Sequence, residues 1–189
     1  STRESIRAIR AAKAQGIPVS AETAPHYFTL TDEAVAEYDT NAKMNPPLRS
    51  PEDRQAVREA LADNTIDAIA TDHAPHSGLE KQVPFDEAAN GVIGLETALP
   101  LGLRLVDAGV LTISQLIEKM ALNPARILGL DGGLRIGAKA DMTVIDSAVG
   151  YRYQAARGFY KRRNTLFDGW ELKGRAKCTL VDGRIAHEI

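Results

Sequence analysis

The stretch that most restricts this chain is Ile66-Asp67-Ala68-Ile69-Ala70-Thr71-Asp72-His73-Ala74-Pro75-His76. Its first half is apolar with β-branched residues, and a short apolar run bounded by polar punctuation reads as a buried strand. Pro75 stops the strand, because proline supplies no ladder N–H. Asp72, His73 and His76 then sit at a strand's carboxyl end, where α/β folds place their chemistry. Ordinary loop roles stand as the alternative, with Asp72 capping a turn and both imidazoles solvated. The pattern favours chemistry: the strand delivers a carboxylate directly into a loop carrying two histidines. Asp and His ligate zinc-like ions, and an unpaired carboxylate at a buried strand end is costly.

The rest of the chain supplies alternating helices and strands up to about residue 130. A helix over 1–15 has Ser1 and Glu4 as its expected capping box and Gly16 as its stop. Ile17–Glu22 reads as a strand with Pro18 near its start, and His26 follows in a loop as a single, structural histidine. Thr31 caps a short helix through Glu37. Lys43-Met44-Asn45-Pro46-Pro47-Leu48-Arg49 is a loop stiffened by two prolines, which either presents Asn45 and Arg49 or merely connects. Ser50 and Pro51 open a helix whose inner face is Ala56, Val57, Ala60 and Leu61. Residues 77–90 show little periodicity and read as a long loop, functional or mobile. Gly91-Val92-Ile93-Gly94 either brings backbone amides near a ligand or is a plain turn before the helix Leu95–Ala108. Thr112 and Gln115 box a helix over Ile113–Ala121, and Asn123-Pro124 starts another that Gly129 closes.

Beyond residue 130 the pattern becomes β. Ala140–Asp146 is a strand, Tyr151–Lys173 is irregular, and Cys178–Ile189 holds a hairpin around Asp182-Gly183. The expected division is therefore 1–130 and 131–189.

Charge removes several function classes. The 23 basic residues face 25 acidic ones, a net charge of −2, so no electrostatic case exists for nucleic acid. Lys161-Arg162-Arg163 is a short run of the solvated kind. One cysteine, Cys178, excludes an internal disulfide and suits a reducing, cytoplasmic setting. No apolar run reaches membrane-spanning length, and Ser1-Thr2-Arg3-Glu4 leads into a helix rather than a signal peptide. A chain that starts at Ser1, with no strand before its first helix, is expected to be a processed product or a fragment.

Ile69-Ala70-Thr71-Asp72-His73-Ala74-Pro75-His76 together with the Lys43–Arg49 loop resembles the bacterial class I dihydroorotases of pyrimidine biosynthesis. Glu22-Thr23-Ala24-Pro25-His26, Gly94-Leu95-Glu96-Thr97-Ala98 and Phe167-Asp168-Gly169-Trp170-Glu171-Leu172-Lys173-Gly174 extend the resemblance along essentially the whole chain. Hydantoinases and allantoinases share the Asp-His core but usually lack the Asn-Pro-Pro-Leu-Arg loop.

The resemblance implies an α/β fold, the carboxyl-terminal part of a TIM (β/α)8 amidohydrolase barrel plus part of a small β-sandwich. In the family the metal is held by a His-x-His pair, a mid-barrel aspartate or carboxylated lysine, two later histidines and an aspartate after the eighth strand. Only that last ligand is matched, by Asp72. Asp72 is thus implied as metal ligand and proton carrier in reversible cyclisation of N-carbamoyl-L-aspartate to L-dihydroorotate, with zinc, one or two ions, in the complete enzyme. Asn45 and His76 would bind the substrate, and the backbone at Asn90 and Gly91 would close over it. One departure is Ala88-Ala89-Asn90-Gly91, where relatives commonly read Ala-Pro-Phe-Gly. The implied partners are the small-molecule substrate, the missing amino-terminal half, a second copy when whole, and aspartate carbamoyltransferase. A non-catalytic dihydroorotase-like subunit and a hydantoinase- or allantoinase-type enzyme are the competing expectations. The isolated chain is expected to be inactive.

Overall fold

Helix α1 (Arg3–Ala14) begins the computed structural model, which describes all 189 residues. Its cap is Thr2, whose hydroxyl accepts from the Ser5 amide at 3.2 Å, so the expected Ser1–Glu4 box is displaced by one position. Strand β1 (Glu22–Thr23) follows, then the short helix α2 (Pro25–Thr29). The expected Ile17–Glu22 strand contracts to its last residue and the next. Pro18 has no N–H to give, and the Val19 amide folds back on Ile17 O at 2.9 Å, a local bond that replaces a ladder bond. Asp32–Val35 and Thr40–Ala42 are single 3₁₀ turns in place of the helix expected after Thr31.

Helix α3 (Pro51–Ala62) is capped by Ser50 as its sequence demands, and buries Val57, Ala60 and Leu61. Strand β2 (Ala68–Ile69) pairs in parallel with β1, Glu22 opposite Ala68 and Thr23 opposite Ile69. It too is shorter than the apolar run that encodes it. Helix α4 (Gly78–Lys81) appears inside the stretch read as loop, built on a Ser77–Glu80 capping box that the sequence carried. Helix α5 (Leu95–Asp107) buries Leu101, Leu103 and Leu105. Helix α6 (Ile113–Ile117), boxed by Thr112 and Gln115, runs through a π-helical turn over Glu118–Leu122 into α7 (Asn123–Ile127), so two expected helices are one continuous rod.

The last part is an antiparallel sheet of β3 (Met142–Arg152), β4 (Glu171–Val181) and β5 (Arg184–Glu188), with Asp182-Gly183 at the β4–β5 turn. The stretch read as irregular yields its ends to β3 and β4. Only its middle, 153–170, stays non-strand, and it runs back over α5: the Phe159 amide donates to Glu96 Oε1 at 2.8 Å. Tyr153, Ala155, Phe167 and Leu172 consequently join Ile6, Phe28, Val57, Leu61, Ile69 and Leu101 in one core. Each fully buried Leu or Phe there is worth about 1.5–3 kcal/mol. No helix is long and apolar enough to cross a membrane.

Candidate active site

The root of β2 is fixed by side chains from distant parts of the chain. Lys13 Nζ lies 2.7 Å from Asp67, whose other contact is the Ala21 amide at 2.9 Å. Buried Lys119 donates to Ile66 O at 2.8 Å and Asn64 Oδ1 at 3.0 Å, and Asn123 Nδ2 donates to Asp67 O at 2.9 Å. Burial holds the Lys119 ammonium below its ordinary pKa. These contacts aim the strand, and its carboxyl end delivers Asp72.

Asp72 has φ +48°, in the left-handed region that costs most non-glycine residues about 1 kcal/mol or more. Its side chain is half exposed. Oδ2 lies 3.7 Å from Nε2 of His26, which is 2 % exposed and has no hydrogen-bond partner. Burial pushes the His26 pKa down to about 4 against the opposing pull of Asp72, so this is a neutral imidazole approaching a carboxylate rather than an ion pair. His26, read from the sequence as a bystander, is thus the residue whose ring faces Asp72. Its signal was weak, because a lone histidine just past a short strand has many bland uses.

His73 turns elsewhere. Its Nδ1 accepts from the amides of Gly94 at 3.0 Å and Leu95 at 3.4 Å, capping α5, and its ring lies 4.5 Å from that of Tyr160. With Nδ1 engaged, the neutral ring carries its proton on Nε2, so His73 offers no lone pair to a metal and keeps only an N–H donor.

His76 is held on three sides. Its amide donates to Asn164 Oδ1 at 3.0 Å, its Nε2 contacts Asn90 O at 2.9 Å, and its Nδ1 lies 3.3 Å from Glu80 Oε1. The Glu80 carboxyl is pushed down to about 2 chiefly by hydrogen bonds from Ser77. The structure therefore brings His76 and Asn90 into contact, with the Asn90 carbonyl already engaged. Gly91 is buried with φ +102°, and a Cβ there would lie 2.7 Å from Ala74 Cβ, so only glycine lets the two loops abut. The Gly91 amide donates to Lys43 O at 2.8 Å, which ties the Asn45 loop to the same cluster. Asn45 itself is exposed, while Tyr27 Oη anchors the neighbouring Pro46 O at 2.7 Å. Burial, with Asp72 adding to it, pushes the Tyr27 phenol up to about 12, so this donor stays protonated.

Lys81 was not singled out by its sequence. It is 4 % exposed, donates to Thr40 O at 2.8 Å and Ala89 O at 2.7 Å, and burial pushes its pKa down to about 8. It joins the loop before Asn45 to the loop before Asn90. The arrangement is one carboxylate at a strand end, faced by a buried imidazole and ringed by three loops that are bonded to each other. No group of three or more His, Cys, Asp or Glu side chains stands close enough to hold an ion. By donor chemistry Asp72 suits one ligand position of a larger set.

The model of the Amidohydrolase family matches residues 3–186. Among curated relatives, a dihydroorotase of Geobacter metallireducens is 57% identical over 189 residues, covering 100% of this chain and 45% of that protein. A dihydroorotase of Desulfotalea psychrophila is 60% identical over 181 residues, 95% of this chain and 43% of that one. The chain thus spans less than half the length of the curated relatives it matches. Among solved structures, an L-hydantoinase (dihydropyrimidinase) from Arthrobacter aurescens superposes with TM-score 0.90 at 30% identity, covering 100% of this chain and 43% of that one. An inactive dihydroorotase-like domain of a Chaetomium thermophilum CAD-like multifunctional protein superposes at 0.71 and 21% identity, over 98% of this chain and 49% of that one, a likeness of fold alone. The expected fold class holds: the chain has the α/β fold of a partial amidohydrolase barrel with mixed helix and strand content.

Proposed function

The chain belongs to the amidohydrolase family, and from that premise we propose that it is the carboxyl-terminal portion of a dihydroorotase, which interconverts N-carbamoyl-L-aspartate and L-dihydroorotate when whole. The observation that carries the reading is Asp72, held in a left-handed conformation at the end of β2 with its carboxylate half exposed. High identity to proteins named dihydroorotase supports the substrate choice over a hydantoin or allantoin. In this reading residues 1–130 are the last part of the barrel, and 131–189 are part of the sandwich with a carboxyl-terminal extension.

Asp72 would hold the metal, taken here to be zinc, as one ligand among several supplied by the rest of the protein. A metal ion bound there lowers the pKa of water and polarises a carbonyl. In hydrolysis the Asp72 carboxylate accepts the proton of the attacking water and returns it to the departing ring nitrogen. In cyclisation it takes the proton from the carbamoyl nitrogen and gives it to the hydroxyl of the protonated substrate carboxyl, which departs as water. The buried His26 ring lies 3.7 Å from one oxygen of that carboxylate. His76 and Asn45 would bind the substrate, and the Asn90–Gly91 backbone would cover it. For His76 to reach substrate, one ring nitrogen must exchange Asn90 O or Glu80 for the ligand.

The test is an assay of the full-length protein that carries these residues, with zinc added, on dihydroorotate, hydantoin and allantoin. Turnover of dihydroorotate in preference to the other two is expected. The isolated 189 residues should neither bind metal tightly nor turn over, since a catalytic zinc takes three or more protein ligands. An active soluble 189-residue monomer overturns the partial-site reading. An inactive full-length protein that co-sediments with aspartate carbamoyltransferase replaces the enzyme with a supporting subunit. The same sedimentation tests the homodimer, and the cytoplasmic setting rests on the single cysteine.

A further inference from the structure

We propose that Asn164 is a positioning residue that sets the spacing of the two substrate loops, the one bearing His76 and the one bearing Asn90 and Gly91; this rests on the dihydroorotase reading. Asn164 lies 88 residues beyond His76, in the middle segment that returns over α5, and is 6% exposed. Its Oδ1 accepts from the His76 amide at 3.0 Å. Its Nδ2 donates to Ala74 O at 2.8 Å and to Gly91 O at 3.2 Å, and its own carbonyl accepts from the Ile93 amide at 2.9 Å. One residue therefore bonds both loops through side chain and main chain together.

The chemistry requires a side-chain amide. The site presents one N–H and two carbonyls, and a carboxamide offers one acceptor oxygen and two N–H donors. The opposite orientation of the amide would set donor against donor and acceptor against acceptors, so the pattern fixes it. Where the loops abut, Gly91 has no side chain and Ala74 has only a methyl. Their separation there is set by hydrogen bonds: Ala74 N to Val92 O at 2.8 Å, His76 Nε2 with Asn90 O at 2.9 Å, and the bonds of Asn164, the one residue outside the loops that bonds to both. Asn164 is itself rigidly supported. The next residues, Thr165 and Phe167, are buried, and Tyr160 of the same segment packs on His73. A binding constellation is held to useful precision by such locked neighbours.

The experiment compares full-length wild type with Asn164→Asp, which keeps the acceptor and loses both donors, and with Asn164→Ala should the first not fold. It reads KM, kcat, metal content and hydrogen exchange over residues 73–77 and 90–94. A misplacement of about 1 Å costs roughly 10²-fold in a positioned site, so KM for dihydroorotate is expected to rise by about tenfold or more. Metal content should stay at the wild-type level, and both loops should lose exchange protection together while α3 keeps its own. Unchanged KM in the folded variant, or loss of protection confined to 160–170, overturns the proposal. A wild type that ignores dihydroorotate sinks the substrate assignment only. Joint loosening of the two loops would still support Asn164 as their common holder, and independent behaviour would refute it.

Discussion

Strand β2 and the hairpin of β4 and β5 are ordered by different means. The hairpin strands meet across Asp182-Gly183, their register runs from Val181 opposite Arg184 to Cys178 opposite Glu188, and most of their side chains are exposed. Their order comes from a backbone ladder between sequence neighbours. Strand β2 has two ladder residues, both buried, and is aimed by Lys13, Lys119 and Asn123, which lie 53 to 56 residues away. A strand held in this way can point a carboxylate with precision, whereas a ladder of neighbours only needs to close. The difference predicts that single substitutions hurt around β2 and are tolerated at exposed positions of the sheet.

The greatest effect is expected at Asp72. Asp72→Asn in the full-length protein keeps the shape and removes the proton acceptor, so turnover should fall by ~10²–10⁴, and further if metal is lost. Near-normal turnover would remove Asp72 from the mechanism. Next comes Lys119→Met, which leaves Ile66 O and Asn64 Oδ1 without their donor. A buried group stripped of its partner costs about 1–3 kcal/mol, which a urea titration should resolve as a lower midpoint. If the midpoint does not move, long-range pinning is not what holds β2.

His76→Ala is expected to raise KM about tenfold with metal content kept, as lost substrate binding of about 1.4 kcal/mol would. Stoichiometric metal loss would instead make His76 a ligand. For Lys81 the sign follows from its lowered pKa, about 8 in the fold against 10.5 for the free group. Between those values the unfolded chain binds the proton that the fold has released, so stability from this residue rises with pH through the window. Relative to Lys81→Met, wild type should gain about 1 kcal/mol between pH 7 and 9, read by urea titration at each pH. A flat difference would mean that the buried amine stays charged. The smallest effect belongs to the sheet. Lys173 and Asp107 form a 3.1 Å pair with both side chains about half exposed, and Lys173→Ala should change stability by no more than about 0.5 kcal/mol.

Several elements were legible because their determinants lie within a few residues. Ser50-Pro51 starts α3, Thr112 and Gln115 box α6, and Asp182-Gly183 turns the hairpin, each through bonds that a four-residue window contains. The Ser77–Glu80 box obeys the same rule, in a stretch whose other residues lack apolar periodicity. Of the site, the place of Asp72 could be read from the strand that precedes it, whereas Gly91 stood open between close approach to a ligand and a plain turn, and the structure sets it against Ala74. Thr2 in place of Ser1 shows how finely capping depends on which hydroxyl reaches the third amide.

The starts of α3 and α6, the turn of the last hairpin and a carboxylate at the end of an apolar strand could all be read from the residues in order. Those facts follow from local backbone sterics and short-range hydrogen bonds. That His73 caps α5, that His26 approaches Asp72, and that Lys81 and Asn164 tie the loops together emerged from long-range packing. The same packing cut β1 and β2 to two residues each, because a ladder extends only where a partner backbone lies alongside. These outcomes depend on which groups share a buried space, and burial pairs donors with acceptors wherever along the chain they originate.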